Sequence, residues 1–252
     1  MRRITKEEYF KTFKNQSYID QLKKVERKFE TFFNEANETT EITIYGVIGD
    51  SWWEDSISAS DIDSALKSVG NGDLVINLNS PGGDAFDGIA IYNRLKKHNG
   101  KVTINVDGWA CSAASVIAMA ADELIMGMGS MLMIHEASSL VWGTKQEMRK
   151  EADVLENLED GIVDIYMTKA NVEREEIRKM VDDETWFSAQ KAVEIGFANS
   201  TATNSEGQTV TNLKSMITDL QNQIEKLKNQ KDEPKQEPVS KQNLSRLFFN
   251  SK

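Results

Sequence analysis

Two polar residues in this sequence lie where a nucleophile and its base could meet. Ser112 occurs in a stretch of small residues, Gly108 to Ser115, between a predicted strand and an alanine-rich helix. The free N–H groups and the positive dipole end of that helix would stabilise an oxyanion beside the serine. His135 directly follows the apolar run Met131 to Ile134. On these segments alone, a helix cap at Ser112 or Ser115 and a structural histidine are the simpler alternatives.

A pair of glycines lies at the end of another predicted strand, in the sequence NSPGG at residues 79–83. Glycine has no side chain and adopts backbone angles that other residues avoid. The N–H groups of Gly82 and Gly83 can therefore point into a cleft at the strand end. An ordinary strand-to-helix turn is the alternative.

Three consecutive carboxylates form a further candidate cluster. Asp182, Asp183 and Glu184 precede the sequence TWFSA and a predicted helical segment. Negative charge is favourable at the N-terminus of a helix, so the cluster by itself predicts a helix start.

The remaining reactive side chains indicate no additional chemistry. The single cysteine, Cys111, cannot form an intrachain disulfide, and we expect its thiol to be packed in the interior. His98 lies in a polar connection between a helix and a strand, and we expect it at the surface. Because the sequence has no cluster of Cys and His, it excludes structural zinc, and we expect neither a metal nor a cofactor.

The charge balance excludes several classes of partner. Thirty basic and forty acidic residues give the 252-residue chain a formal net charge of −10. This disfavours binding to nucleic acid and to anionic membranes. No apolar run reaches the roughly 20 residues that cross a bilayer, and the N-terminal residues lack a secretory signal pattern. We therefore expect a cytoplasmic protein with no nucleic acid and no membrane partner.

Short β-branched runs alternate with helical segments through the middle of the chain. The predicted strands cover residues 41–48, 74–79 and 102–106, and the predicted helices cover 62–69, 86–95 and 112–121. The alternation predicts an α/β fold with βαβ units around a mostly parallel sheet. Farther along, apolar positions at helical spacing predict a long amphipathic helix from Lys145 to Ala170.

The composition changes along the chain and divides it into residues 1–40, 41–200, 201–211, 212–230 and 231–252. The first division is predicted to be an amphipathic helical arm, because apolar residues that include Phe29 and Phe32 recur at helical spacing. The second is the α/β domain and the third a polar linker. The fourth has a heptad pattern of Leu and Ile, which predicts a short coiled coil, with a solvated helix as the alternative. The last is a flexible tail with an apolar hook.

Four segments together resemble the ClpP family, the serine peptidases that form the proteolytic chamber of Clp proteases. They are NSPGG after a strand, GWACSAAS, MIH and WFSAQKAVEIGFAN, and they follow the family's order between Ile42 and Asn199. The resemblance implies a ClpP/crotonase-like fold of repeated ββα units and a homo-oligomeric ring.

The same resemblance implies a catalytic triad. Ser112 would be the nucleophile and His135 its general base. The position of the family's aspartate falls on Glu184, whose side chain is one methylene longer. Asp183 and Asp182 are alternatives that a shifted turn would present instead.

The resemblance also implies how a substrate would be held. The oxyanion would be bound by the N–H groups of Ala113 and of Gly82 or Gly83. The stretch from Asp84 to Asn93 would form part of the wall along which the family lays its substrate as an added strand. No metal or nucleotide is needed for this chemistry.

The predicted arm, the coiled-coil tail and the ETWFSA form of the acidic motif resemble the ClpP-like head maturation proteases of tailed bacteriophages. This implies an ATP-independent serine endopeptidase that cleaves the phage major capsid and scaffold proteins inside the assembling prohead, in the cytoplasm of the bacterial host. A Clp-type subunit working with an ATPase unfoldase is the first alternative. An acyl-CoA enzyme of the crotonase-like fold and a non-catalytic scaffold protein are the others, and the presence of Ser112 and His135 argues against both.

Overall fold

The computed structural model describes residues 26–35, 38–49 and 56–202. Ten strands and six helices occur in these ranges. The strands are β1 (Lys28–Asn34), β2 (Thr39–Tyr45), β3 (Val47–Ile48), β4 (Ser56–Ile57), β5 (Asp73–Ser80), β6 (Val102–Cys111), β7 (Glu123–Met126), β8 (Met131–Ile134), β9 (Thr185–Ser188) and β10 (Ser200–Thr201). The helices are α1 (Ala59–Val69), α2 (Ala85–Lys96), α3 (Ala113–Ala118), α4 (Lys145–Met167), α5 (Arg174–Asp182) and α6 (Ala189–Glu194).

Eight of these strands form one sheet, in which β1, β2, β5, β6, β7 and β10 lie side by side in that order. The pairs from β2 to β10 are parallel, whereas β1 is antiparallel to β2. The long strand β6 pairs first with β7 and then, from Trp109 onward, with β8, which is antiparallel to β9. Strands β3 and β4 form a separate parallel pair. The prediction of an α/β fold with a mostly parallel sheet is confirmed.

The three central strands β2, β5 and β6 alternate between buried and partly exposed residues, as expected for strands with one face on a core. The buried positions are Ile42, Ile44, Ile76, Leu78, Ile104 and Val106. Thr43, Asn77 and Asn105 lie between them along the strands and stay partly exposed. The apolar sides of α1, α2 and α3 belong to the same core. The core therefore fixes the central strands whose carboxyl ends carry the glycine pair and Ser112.

Helix α4 is 23 residues long and starts with a capping box formed by Thr144 and Glu147, which confirms the predicted amphipathic helix. Only its C-terminal half packs on the core, through Ile162, Val163 and Tyr166. On the solvent side, Arg174 of α5 pairs with Asp164 of α4 at 3.1 Å. Helices α4 and α5 thus approach each other through both apolar and charged contacts.

The predicted helical arm is wrong for residues 28–34, which form strand β1. Lys28 pairs with Tyr45 and Asn34 with Thr39, so β1 extends the sheet beyond β2. Its sequence KFETFFN is rich in aromatic residues that favour strands, and the edge of β2 supplies backbone partners that a helix would leave unused. Residues 1–25 and 203–252 lie outside the described residues, so the rest of the arm, the linker, the coiled coil and the tail stay predictions.

The acidic cluster does not start a helix, contrary to the sequence prediction. Asp182 is the last residue of α5 and Asp183 caps its C-terminus. Strand β9 then separates the cluster from α6. Negative charge is unfavourable at a helix C-terminus, and two basic side chains one turn earlier in α5 form ion pairs that offset it: Arg178 with Asp182 and Lys179 with Asp183. Strand β9 is also an element that the sequence analysis missed, as is β7.

No helix in the described part of the chain is long and apolar enough to span a membrane.

The assignment of residues 28–34 to a strand can be tested with two matched substitutions. Phe29 is half-buried against the core, whereas Phe32 on the same strand is 63% exposed. We expect Phe29→Ala to lower the free energy of unfolding by about 1–3 kcal/mol, because it removes packed apolar surface. Phe32→Ala should change it by no more than about 0.5 kcal/mol. Urea unfolding of both variants measures the difference, and equal costs would contradict the strand.

Candidate active site

Ser112 lies at the sharp turn between strand β6 and helix α3. Its backbone has φ 55° and ψ −125°, and its side chain makes no capping hydrogen bond to the helix. A residue with a side chain rarely adopts this conformation, which costs on the order of 1–3 kcal/mol. Because the Ser112 side chain does not cap helix α3, the simpler interpretation of Ser112 as a helix cap is wrong. The turn leaves the hydroxyl half-buried and available to a neighbour.

Hydrogen bonds hold the backbone of Ser112 on both sides. Its N–H donates to the carbonyl of Met133 at 2.9 Å. Its carbonyl accepts the Oγ–H of Ser115 at 2.6 Å. Ser115 Oγ also lies 2.8 Å from Tyr166 Oη, and because its own proton is used, Tyr166 is the donor. Burial raises the pKa of Tyr166, which keeps its hydroxyl protonated. A buried relay from α4 thus fixes the turn.

His135 approaches Ser112 from the neighbouring strand. It directly follows β8, which runs parallel to the end of β6 with Cys111 opposite Met133. His135 Nε2 lies 2.9 Å from Ser112 Oγ, which is hydrogen-bond distance, and the imidazole is half-buried. The structure therefore brings together the two residues that the sequence analysis singled out as nucleophile and base.

The antiparallel register of β8 and β9 places Glu184 next to His135. Met133 pairs with Trp186 and Ile134 with Thr185, so the next position along both strands sets His135 opposite Glu184. Glu184 has a positive φ of 54°, and its Oε1 accepts the indole N–H of Trp186 at 3.2 Å. The bond from Trp186 holds the Glu184 carboxylate at the end of β8 and β9 that also carries His135.

The other two carboxylates of the cluster are engaged elsewhere. Asp182 pairs with Arg178 at 3.1 Å, and Asp183 pairs with Lys179 on the same helix. The side chains of both aspartates are about half exposed or more, at 47% and 60%. Their ion pairs direct them along α5, whereas Glu184 lies at the start of β9.

The glycine pair packs directly against the turn at Ser112. A Cβ atom on Gly82 would lie 2.5 Å from the carbonyl oxygen of Cys111 and 2.7 Å from Ser112 Cβ, so only glycine fits there. Gly82 N–H donates to Ser80 Oγ at 3.1 Å and is already used. Gly83 lies opposite Ile48 in an isolated parallel β-bridge. In this bridge the Ile48 N–H donates to the Gly82 carbonyl, and the Asp84 N–H donates to the Ile48 carbonyl. The Gly83 N–H therefore points away from Ile48.

Ala113 supplies a second backbone donor at the same place. It is the first residue of α3, and the N–H groups of a first helical turn have no partner within the helix. Its nitrogen would lie 2.9 Å from a Cβ on Gly82, so the glycine pair and the start of α3 share one cleft wall.

The remaining candidates lie apart from this chemistry. Cys111 is buried, and burial raises the pKa of its thiol, with the charge of Glu184 adding to the effect. A buried thiol with a raised pKa is a poor nucleophile. His98 Nε2 lies 2.7 Å from the carbonyl of Gly72, a structural contact away from Ser112. His98 is partly exposed in the connection between α2 and β6.

Among the described residues, one group of side chains has the spacing of metal ligands. Glu136, Glu159 and Asp182 have carboxylate oxygens within 4.8 Å of one another. Arg178 forms ion pairs with two of them, Glu159 and Asp182, and so supplies the positive charge that such a group requires.

The side chains that support Ser112 and Glu184 have no local signal in the sequence. Tyr166 and Ser115 are 51 residues apart in the chain, and no local pattern connects them. Trp186 was part of a quoted motif, but its bond to Glu184 depends on the turn that precedes β9. The nucleophile and base had local signals, whereas their supports depend on tertiary contacts.

The sequence model of the family described as Clp protease matches residues 23–205 of this chain. The ATP-dependent Clp protease proteolytic subunit 1 of Protochlamydia amoebophila is 29% identical over 137 residues, which cover 53% of this chain and 66% of that protein. Proteolytic subunit 2 of Treponema denticola is 31% identical over 133 residues, with 52% and 66% covered. The chain thus spans just under two thirds of the length of these curated relatives.

A solved structure of a mutant ClpP1 from Listeria monocytogenes has the same fold. It superposes with a TM-score of 0.56 and 25% identity, and the match covers 64% of this chain and 90% of that one.

The close packing at Gly82 can be tested against a second glycine with a similar backbone. Gly82 has φ 87° and Gly129 has φ 77°, but a Cβ on Gly129 would meet no atom within 4 Å. In both Gly→Ala variants, alanine in the left-handed backbone conformation lowers stability by about 1–2 kcal/mol. We expect Gly82→Ala to cost about 1–3 kcal/mol more, since its methyl group collides with the turn at Ser112. Chemical unfolding measures the loss of stability in both variants, and equal losses would contradict the close packing at Gly82.

Proposed function

The chain belongs to the Clp protease family, and we propose that it is a serine endopeptidase with Ser112 as nucleophile, His135 as general base and Glu184 as the acid that orients the base. The observation that carries this proposal is the 2.9 Å approach of His135 Nε2 to Ser112 Oγ at a strained strand-to-helix turn. The relatives in this family are serine peptidases.

The first chemical step uses the hydrogen bond between these two residues. Ser112 donates its hydroxyl proton to neutral His135 Nε2 while Oγ attacks the carbonyl carbon of a peptide bond. The carbonyl oxygen becomes an oxyanion, and the N–H groups of Ala113 and Gly83 hold it. The imidazolium then protonates the leaving amine, and an acyl-enzyme remains on Ser112.

We assign the oxyanion donor to Gly83 instead of Gly82 because of their different backbone partners. Gly82 N–H is already bonded to Ser80 Oγ. Gly83 N–H points away from its neighbour Ile48, and Gly82, the residue before it, packs against the turn at Ser112. In the second step water attacks the acyl carbon while His135 takes its proton, and the same two N–H groups hold the second oxyanion. When this intermediate collapses, the bond from the acyl carbon to Ser112 Oγ breaks, His135 returns the proton to Oγ and the carboxylic acid leaves.

We assign the acid to Glu184, because it directly precedes β9 at the end of the strand pair where His135 directly follows β8. A carboxylate at the far nitrogen of the imidazole fixes the tautomer that leaves Nε2 free to accept a proton, and it stabilises the imidazolium. The bond from Trp186 limits the freedom of the longer glutamate side chain. Asp183 and Asp182 are disfavoured as the acid, because Lys179 and Arg178 hold them along α5.

For the biological role, we propose ATP-independent cleavage of phage major capsid and scaffold proteins during prohead maturation, inside the host cytoplasm. Support comes from the ETWFSA form of the acidic motif and from the heptad pattern over residues 212–230, beyond the part of the chain that the family model matches. The Clp protease family forms oligomeric rings, and we propose a homo-oligomer for this chain as well.

A second candidate is a proteolytic subunit that works with an ATPase unfoldase. The names of the similar relatives favour it, since they are described as ATP-dependent Clp protease proteolytic subunits. The two candidates share the same chemistry at Ser112 and differ in whether cleavage of a folded substrate needs ATP.

Covalent labelling tests the chemistry directly. We expect a fluorophosphonate to modify the wild type and Ser139→Ala, but not Ser112→Ala, because Ser139 is an exposed serine bonded to Glu151. Mass spectrometry of the labelled peptide identifies the site. Retention of the label in Ser112→Ala would refute the assignment of the nucleophile.

The same assay identifies the acid. Glu184→Gln should slow labelling by roughly 10²- to 10⁴-fold, as expected for loss of the carboxylate of a triad. Asp183→Asn should leave the rate within about threefold, since its ion pair is exposed. The opposite order of these effects would transfer the role to Asp183.

Co-expression tests the biological role. The wild type and Ser112→Ala are each expressed with the major capsid and scaffold proteins encoded with the chain, and the intact mass of every partner is measured. We expect cleavage by the wild type alone, unchanged when ATP is depleted from the lysate. Cleavage that requires ATP and an added unfoldase would favour the second candidate, and no mass change in any partner would refute processing.

A further inference from the structure

Glu159 of α4 is a buried carboxylate that the proposed chemistry does not use. It is only 6% exposed. Its Oε1 accepts the backbone N–H of Ala137 at 2.9 Å, in the loop that follows β8. Ala137 is two residues beyond His135, so this bond ties the chain just after the base to α4.

Arg178 of α5 holds the other oxygen of this carboxylate. Its Nη2 donates to Glu159 Oε2 at 2.7 Å, and its Nε donates to Asp182 Oδ1 at 3.1 Å. Its Nη1 is buried and has no acceptor among the described residues. The guanidinium thus depends on the charge of Glu159 and Asp182, and Asp182 is two residues before Glu184.

These contacts join the segments that carry the base and the acid. The chain of bonds runs from Ala137 through Glu159 and Arg178 to Asp182. A buried ion pair contributes little net stability compared with apolar residues of the same size, so stability alone does not account for it. The contacts instead hold the loop after β8 in a fixed position relative to the C-terminal end of α5.

We propose that Glu159 is a positioning residue: its ionised carboxylate, held by Arg178, keeps the loop after β8 in place so that His135 stays between Ser112 and Glu184. The inference rests on the proposed roles of Ser112 and His135. It adds to them a long-range contact from α4 and α5, formed by residues that touch neither the substrate nor the reacting atoms.

The surroundings of Glu159 make this support sensitive to pH. Burial raises the pKa of Glu159, and the negative charge of Glu136 on the loop adds to it; Arg178 and the Ala137 N–H act in the opposite direction. Asp182 faces the same cluster from α5. As pH falls, Glu159 therefore takes up a proton earlier than an ordinary glutamate.

Protonation of Glu159 affects the active site and the stability of the fold differently. A raised carboxyl pKa contributes to stability at low pH, and that contribution is lost as pH rises through the folded-state pKa. Acid thus does not unfold the protein through Glu159. It neutralises the partner of Arg178, and we expect it to loosen the loop after His135 while the fold persists.

The test compares two charge-neutralising variants on the same pair of helices. Glu159→Gln keeps an acceptor for the Ala137 N–H but removes the charge that holds Arg178. Asp164→Asn removes an exposed partner of Arg174 and is the matched control. The rate constant for fluorophosphonate labelling of Ser112 at neutral pH should fall by about 10- to 100-fold in Glu159→Gln. It should stay within about twofold in Asp164→Asn.

The pH profile separates positioning from a general loss of structure. In the wild type, the logarithm of the labelling rate should first fall with a slope of about 1 as pH decreases and then steepen toward 2 where Glu159 also takes up a proton. In Glu159→Gln the slope should stay near 1. Equal labelling rates and equal pH profiles in the wild type and in Glu159→Gln would overturn the inference.

A measurement that does not depend on activity completes the test. The chain has two histidines, so the imidazole region of the proton NMR spectrum contains one Hε1 signal from His135 and one from His98. We expect Glu159→Gln to shift or broaden the His135 signal and to leave that of His98 unchanged. An unchanged His135 signal overturns the inference even if Ser112 is never labelled, whereas an unlabelled wild type with a shifted signal refutes the proposed function alone.

If Glu159→Gln folds poorly, the double variant Glu159→Leu, Arg178→Met replaces the whole ion pair with apolar side chains. Stability should then recover, as measured by urea unfolding. Labelling should stay slow, because the Ala137 N–H has lost its acceptor. Labelling at the wild-type rate in this stable variant would overturn the inference.

Discussion

The backbone of Ser112 is the constraint on which the candidate site depends. Its positive φ points the hydroxyl out of the turn between β6 and α3, and the conformation is held by contacts from three directions. Met133 accepts its N–H, Ser115 bonds its carbonyl, and Gly82 leaves the space that any side chain would fill. The strain of on the order of 1–3 kcal/mol persists because these neighbours determine the turn. Relaxing it would turn the hydroxyl away from His135.

Sheet topology then assembles the other groups without long loops. Strands β6 and β8 are parallel, so their carboxyl ends bring Ser112 and His135 to the same edge. Strand β9 runs back along β8, so Glu184, which directly precedes β9, and His135, which directly follows β8, lie at the same end of this strand pair. The glycine pair arrives from the end of β5, the other neighbour of β6. Each group therefore depends on the strand register, and a one-residue shift would separate all of them.

The sequence predicted the central α/β pattern because the strands that carry the core alternate with amphipathic helices. It also singled out Ser112 and the glycine pair, which follow predicted strands, and His135, which directly follows an apolar run. It failed for residues 28–34, where the spacing of Phe29 and Phe32 fits one helical face and the edge of β2 decides the outcome. Tyr166 and Glu159 were not identifiable, since they meet their partners 51 and 22 residues away in the chain.

We propose that Ser112 attacks a carbonyl whose oxyanion is held by the N–H groups of Ala113 and Gly83. The most direct test is a crystal structure of the wild type with a peptide boronate, whose tetrahedral boron resembles the intermediate. We expect a covalent bond from boron to Ser112 Oγ, with one boronate oxygen about 3 Å from both backbone nitrogens. A boron bound to another side chain, or an oxygen that contacts neither nitrogen, would contradict it.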